Sequence, residues 1–257
     1  MPAEQTIPRR GPTAGKRPLS PVAIGVLALA VATALLGMIS GFGYQWGFWT
    51  YRTGFTLLRY SAYGGIGVVV LSLLVLAYTR PGTSRRGFAL ALIALVLGLT
   101  IVAVPWSQRR TSRSVPPIHD ITTDTENPPE FIAIAPLRAD APNPVSYAGE
   151  EVAELQRAAY PDIRPLVLDL QREEAFQQAL AAVQARGWRL VDSDPATGRI
   201  EATDRTRWFG FYDDVTIRLT PLNGRTVLDI RSKSRVGRGD AGTNARRIRE
   251  FLREIDG

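Results

Sequence analysis

Three long stretches of this 257-residue chain carry no charge at all: Pro18–Tyr51, Tyr60–Thr79 and Gly87–Gln108. Each matches or exceeds the roughly 20 apolar residues that a helix needs to cross a ~30 Å hydrocarbon core. Unpaired backbone groups are costly in lipid, so such runs cross as helices. None of the three has the polar stripe of a soluble amphipathic helix. The pattern therefore predicts a disordered basic tail over 1–18 and three transmembrane helices within 19–108. Gly37 and Gly41 have small-xxx-small spacing, and Ser61, Gly64, Gly65 and Gly67 give the second span a small face. Both features suit close helix packing. The loop Gly43–Tyr51 is dense in Trp, Tyr and Phe. Such side chains settle at headgroup depth; the alternative is a lid over a lipid or quinone cleft.

Beyond Arg109 the pattern changes. Residues 109–164 carry Pro116, Pro117, Pro128, Pro129, Pro136, Pro142, Pro144 and Pro161, too many for a long helix. They predict an extended segment packed on a domain, with a short strand at Phe131–Ile134 and a short helix at Glu150–Ala159. From 165 to 257 the periodicity alternates between two and 3.6 residues. Leu166–Leu168 predicts a strand, and Phe176, Ala179, Leu180 and Val183 predict a helix. Strands follow from Trp188, at Ile200–Arg205, around Val215–Leu219 and at Thr226–Ser234. Asn223-Gly224 joins the last two as a hairpin turn. Ile248, Phe251, Leu252 and Ile255 mark a closing helix capped near Asp240. The order β-α-β-β-β-β-α implies an α+β two-layer sandwich, a mostly antiparallel sheet with helices on one face. One sheet face would be aliphatic and the other polar.

Charge changes the picture only by its placement. The net charge is +7, yet from Arg109 onward 22 Lys and Arg face 23 Asp and Glu. The excess lies in the tail and between the spans, where basic residues set topology and meet anionic headgroups. A nucleic-acid binder would carry a basic stripe on its folded domain. With an inside amino terminus, seven basic residues lie on the cytoplasmic side. Five (Arg52, Arg59, Arg109, Arg110 and Arg113) lie opposite. Three crossings then put the polar domain outside, in the periplasm of a diderm bacterium. There is no cysteine and one histidine, so thiolate metal sites, disulfides and multi-histidine sites are excluded. No carboxylate, lysine or histidine lies mid-span, against an ion or proton path.

Three constellations carry candidate chemistry. His119, Asp120 and Asp124 could hold a divalent cation or do acid–base work, or simply order a turn. Arg231, Lys233 and Arg235 share one strand face, spaced roughly 7 Å apart at ~3.3 Å per residue. Arg238 continues the run towards the closing helix. This ladder suits a phosphate, a carboxylate or a lipid headgroup; the bland alternative is a face whose charges pair with Glu201, Asp229 or Asp213. Trp208, Phe209 and Phe211 surround Gly210 ahead of Asp213 and Asp214. They form either a bend that plugs the core or a tip that contacts membrane or partner. Adjacent strand residues point to opposite faces, which weakens Asp213 and Asp214 as a catalytic dyad.

Several stretches together resemble one known family. They are Pro116-Pro-Ile-His-Asp-Ile-Thr-Thr-Asp124, Tyr160-Pro-Asp-Ile163, Ile200-Glu-Ala-Thr203, Trp208–Asp214, and Arg231-Ser-Lys-Ser-Arg-Val-Gly-Arg238 with Asn244. In this order, over about 113–256, the sequence is similar to the domain of unknown function 1499 family. The resemblance implies no reaction, substrate or cofactor. It implies bacterial envelope proteins and plastid relatives, in keeping with the outside orientation. Two functions stay open. One is a non-catalytic envelope protein binding a partner protein, a lipid headgroup or a small anion. The other is a membrane-surface enzyme or metal-dependent factor using His119 with nearby carboxylates, for which His119 beside Asp213 or Asp214 in a cleft with Lys233 would speak.

Overall fold

A computed structural model describes residues 18–83 and 85–257. The tail expected over 1–18 lies, except for Pro18, outside the described residues. The three apolar runs form helices α1 (Pro21–Gln45), α2 (Tyr51–Tyr78) and α3 (Phe88–Ser114), each long and apolar enough to span a membrane. At 1.5 Å per residue, the 25 residues of α1 cover about 38 Å. The bundle is packed inside-out relative to a soluble one. Ala23, Ala30, Ala91 and Ala94 are buried while Val22, Ile24, Leu29, Leu73 and Ile93 face outward. Small residues permit this. A Cβ on Gly64 would meet Thr33 at 2.9 Å, and one on Gly98 would meet Val68 at 2.9 Å. Ser61 Oγ donates to the Thr33 carbonyl at 2.9 Å.

The chain divides into two compact units. One contains the helices up to Met38 with Thr56–Ala103; the other contains Ile39–Phe55 with Val104–Gly257. Within the second unit, β1 (Asp120–Thr122) is followed by a 3-10 turn at Ala135–Arg138 and α4 (Glu150–Ala159). Then come β2 (Leu166–Leu168), α5 (Arg172–Ala185), β3 (Arg189–Asp194), β4 (Arg199–Arg205), β5 (Tyr212–Leu222), β6 (Arg225–Ser234) and α6 (Thr243–Asp256). The antiparallel sheet runs β1-β6-β5-β4-β3, with β2 beside β6 on the same edge as β1. The expected α+β architecture is what the chain adopts. Ile121, Ile200, Ala202, Val215, Ile217, Leu219, Leu228 and Ile230 form the aliphatic face. It is closed by Phe176, Ala179 and Val183 of α5 and by Ile248, Phe251 and Ile255 of α6. Asn223 (φ 48°) and Gly224 turn β5 into β6. Asp240 caps α6, accepting from the N–H of Asn244 at 2.6 Å and of Gly242 at 2.9 Å.

Four expectations need correction. The third helix does not stop at Gln108 but runs to Ser114, carrying Pro105 within it. The second starts at Tyr51 and includes Arg52 and Arg59. The proline-rich segment contributes a strand of the sheet, β1, because its short Asp-Ile-Thr run pairs with Arg231–Lys233. Phe131–Ile134 is not a strand. The N–H groups of Ile132, Ala133 and Ile134 that would have bonded a neighbouring strand converge on the Glu201 carboxylate, at 2.8, 3.1 and 2.8 Å.

Candidate functional site

The second face of the sheet is where the candidate chemistry collects. It is polar, as alternation predicts, but it is buried. Antiparallel register sets the charges in rows. Asp120, Lys233, Asp214 and Thr203 lie side by side across β1, β6, β5 and β4. The next row is Thr122, Arg231, Thr216 and Glu201. The proline-rich segment covers them: Phe131, Ile134 and Arg138 are at most 5 % exposed.

Arg231, Lys233 and Arg235 already have acceptors in the chain, whereas Arg238 is exposed and stands outside this set. Arg231 forms a bidentate pair with Asp120, Nε to Oδ1 and Nη2 to Oδ2, both 2.8 Å. Its remaining donors reach the carbonyls of Pro129 and Val145, and its plane lies 4.8 Å from the Phe131 ring and 5.4 Å from the Tyr147 ring. Lys233 Nζ lies 2.8 Å from Asp120 Oδ2 and donates to the Ser146 carbonyl at 2.6 Å. Arg235 forms a second bidentate pair, with Asp214 at 2.8 Å for both bonds, and donates to the Leu137 carbonyl. Asp214 also accepts from Thr203 Oγ1 at 2.7 Å and from Arg138 Nη1 at 2.8 Å. The partners are thus Asp120 and Asp214, not the Glu201, Asp229 or Asp213 expected. Asp229 instead pairs with Arg218, which also reaches Asp124.

Burial sets the electrostatics of this layer. Loss of solvent holds Lys233 below the usual lysine range, opposed by Asp120. It lowers Arg138 as well, opposed by Asp214. The Tyr147 phenol, desolvated and close to Asp120, is pushed up to about 12. The layer behaves as an ionic joint: charge-assisted bonds sew the 129–147 segment to the sheet. An anion entering at Arg231 or Arg235 would have to displace a bidentate carboxylate.

The serines between these cations point to the other face. Ser232 Oγ donates to Asn244 Oδ1 at 2.7 Å, and Asn244 Nδ2 donates to Ser234 Oγ at 2.9 Å and to the His119 carbonyl at 3.1 Å. Arg247 of α6 joins this set, bridging Asp204 at 2.8 Å and Asp213 at 2.7 Å. Alternation along Arg231-Ser-Lys-Ser-Arg235 therefore supplies one side of the sheet with the ionic joint and the other with a helix dock. Asp213 and Asp214 lie on opposite faces with different partners. His119 belongs to the Asn244 side; its Nδ1 lies 3.4 Å from the Arg238 carbonyl, and burial first of all holds its pKa below 6.5. Asp124 accepts the N–H groups of Glu126 and Asn127 in a turn. The structure therefore brings Asp120, Lys233 and Asp214 together and leaves His119, Asp124 and Asp213 apart from them. Among the described residues no three His, Asp or Glu side chains converge as metal ligands.

Trp208, Phe209 and Phe211 form a tight bend with Gly210 at φ 69°. They fill neither the sandwich core nor an open tip. The bend seats on the facing ends of α1 and α2: Phe209 stacks on Phe55 (4.9 Å between centroids) and Phe211 lies 5.4 Å from Tyr44. Gln45 Nε2 donates to the carbonyls of Arg207 and Trp208 at 2.6 and 2.7 Å. A Cβ on Gly41 would meet the Trp208 ring at 2.5 Å. Gly41 thus makes room for an indole rather than for another helix.

Residues 120–255 match the family model described as Protein of unknown function (DUF1499). The chain belongs to the DUF1499 family. The match begins at Asp120 and ends at Ile255, so it takes in β1, the ionic joint and α6 and leaves out the three apolar helices. No curated protein matches the chain. Arg138 of the DUF1499 joint and the neighbouring Gln156 are not singled out by the sequence, which offers Glu201 only as a partner for the ladder. Gln156 bonds both backbone groups of Thr122, at 3.0 and 2.6 Å. The available signal was an arginine alone amid Phe131-Ile-Ala-Ile134 and Pro136-Leu137.

Proposed function

We propose that this protein is a non-catalytic envelope module. Three helices anchor it in the bacterial inner membrane with the amino terminus cytoplasmic. Its DUF1499 domain stands in the periplasm and there binds a partner protein, a lipid headgroup or a small anion. The observation that carries the non-catalytic reading is the ionic joint. Asp120, Asp214, Arg231, Lys233 and Arg235 spend their donors and acceptors on holding the fold, which leaves recognition to the outer surface of the domain. The side of display is supported by connectivity and charge. The seat of the Trp208–Phe211 bend ties the domain to the end of α1 and the start of α2. Pro18 and Ser20 exchange backbone bonds with Arg86 in the α2–α3 loop. Both ties are what three single crossings require, and the seven-to-five basic bias puts the tail inside.

Two measurements test this. A reporter fused after Gly257 that is active only outside the cytoplasm should be active, and one active only inside should stay silent; the reverse pattern ends the periplasmic assignment. A His119→Ala copy should restore whatever envelope defect follows deletion of the gene. Failure to restore it at unchanged melting temperature would move His119 into an active site.

A further inference from the structure

Outside the joint, one cleft gathers polar side chains from three strands of the sheet. It measures about 320 Å³ and is lined by Gly187, Arg189, Thr203, Asp204, Arg205 and Tyr212. It lies at the ends of β3, β4 and β5, where Arg189 pairs with Thr203 in register and Arg205 with Tyr212. Its charge is open in a way that the joint's is not. The side chain of Arg189 is exposed and has no hydrogen bond or carboxylate partner among the described residues. Arg205 lies 5.2 Å over the Tyr212 ring and uses only Nε, towards the Gly210 carbonyl at 3.4 Å. Its terminal nitrogens remain free to meet a ligand. The one carboxylate in the lining, Asp204, is already committed. Its Oδ1 accepts from the Arg205 N–H at 2.8 Å and its Oδ2 pairs with Arg247. Two guanidinium forks beside a phenol fit the oxygens of a phosphate.

Position selects which phosphate. Arg205 and Tyr212 flank the Trp208–Phe211 bend, which packs on Tyr44, Tyr51 and Phe55 at the ends of α1 and α2. Trp46 and Phe48 in the same loop are 63 % and 71 % exposed, as expected of side chains at headgroup depth. With the loop at that depth, a cleft beside the bend meets lipid phosphates.

We propose that Arg189 and Arg205 bind the phosphate of an anionic lipid headgroup in this cleft. The assignment rests on the surface-recognition reading above and names the site. The test uses full-length protein reconstituted into phosphatidylcholine membranes with and without phosphatidylglycerol, re-extracted in mild detergent, with retained lipid counted by mass spectrometry. Wild type should retain phosphatidylglycerol selectively. Arg189→Gln with Arg205→Gln should lower that retention about tenfold at unchanged melting temperature. Arg109→Gln, Arg110→Gln and Arg113→Gln together, at the end of α3, should leave it intact. Equal retention by the Arg189/Arg205 variant, or its loss in the α3 variant instead, overturns the site while leaving anionic-lipid binding itself in place. Displacement of the lipid by inorganic phosphate alone overturns the lipid assignment in favour of a free anion. No selective retention by wild type overturns the site, and lipid recognition with it.

Discussion

At the scale of single residues, the most consequential atoms are the two carboxylates on which four cations depend. Asp120 is 1 % exposed and serves Arg231 and Lys233 together. Asp120→Asn leaves two buried cations without a counter-charge, and removing one partner of a buried pair costs about 3–5 kcal/mol. A large drop in melting temperature in detergent is the expected result; a change within error would mean that the joint is not bearing on stability. His119 gives a second test, through pH. Its folded pKa lies below the unfolded 6.5 because burial disfavours the cation. As pH falls through 6.5 the unfolded chain takes up a proton before the folded one does, so stability declines until the folded pKa is passed. His119→Gln should flatten the part of the pH 7.5 to 5.5 melting-temperature slope that belongs to this residue. Which face each charge occupies was legible from alternation alone. Whom it meets was not: Asp120 and Lys233 are 113 positions apart and become neighbours only through the register of β1 on β6.

Elements were legible in proportion to their periodicity. The apolar helices, the strands from Leu166 onward and both helices of the sandwich announce themselves by spacing. The covering segment does not, because its backbone bonds go to side chains. Glu201 replaces a strand partner for Ile132–Ile134, and Arg138 Nη2 ties the segment's own Asn143 carbonyl to that of Ser234. Such contacts have no period to detect. β1 was hidden for a related reason, since three residues of mixed polarity next to prolines look like loop. Glu201→Gln removes the charge from three bonds, each worth roughly 1.5–3 kcal/mol when charge-assisted. The covering segment should then open first, so trypsin should cut after Arg138, 3 % exposed in the intact protein, well before the sandwich unfolds. Cleavage at the wild-type rate would show that Glu201 is not the clasp.

For the whole molecule, the aromatic seat matters more than any buried charge. A fragment spanning 115–257 keeps the sandwich and the joint but uncovers Phe209 and Phe211, of which Phe209 is 6 % exposed beside the α1–α2 loop. Exposed apolar patches drive association. The fragment should elute as oligomers on size exclusion, and Phe209→Ser with Phe211→Ser should return it to a monomer; a monomeric parent fragment would mean that the bend refolds on itself. The same seat gives Gly41 a role other than the helix packing its spacing suggests. Because the indole of Trp208 occupies the space a Cβ would take, the domain is fastened at two separated points of the chain, the continuation of α3 and the facing ends of α1 and α2. A globule hung from one strand of peptide swivels freely. One pinned twice keeps its second hold when the first is loosened, so losing either alone would not set the globule free.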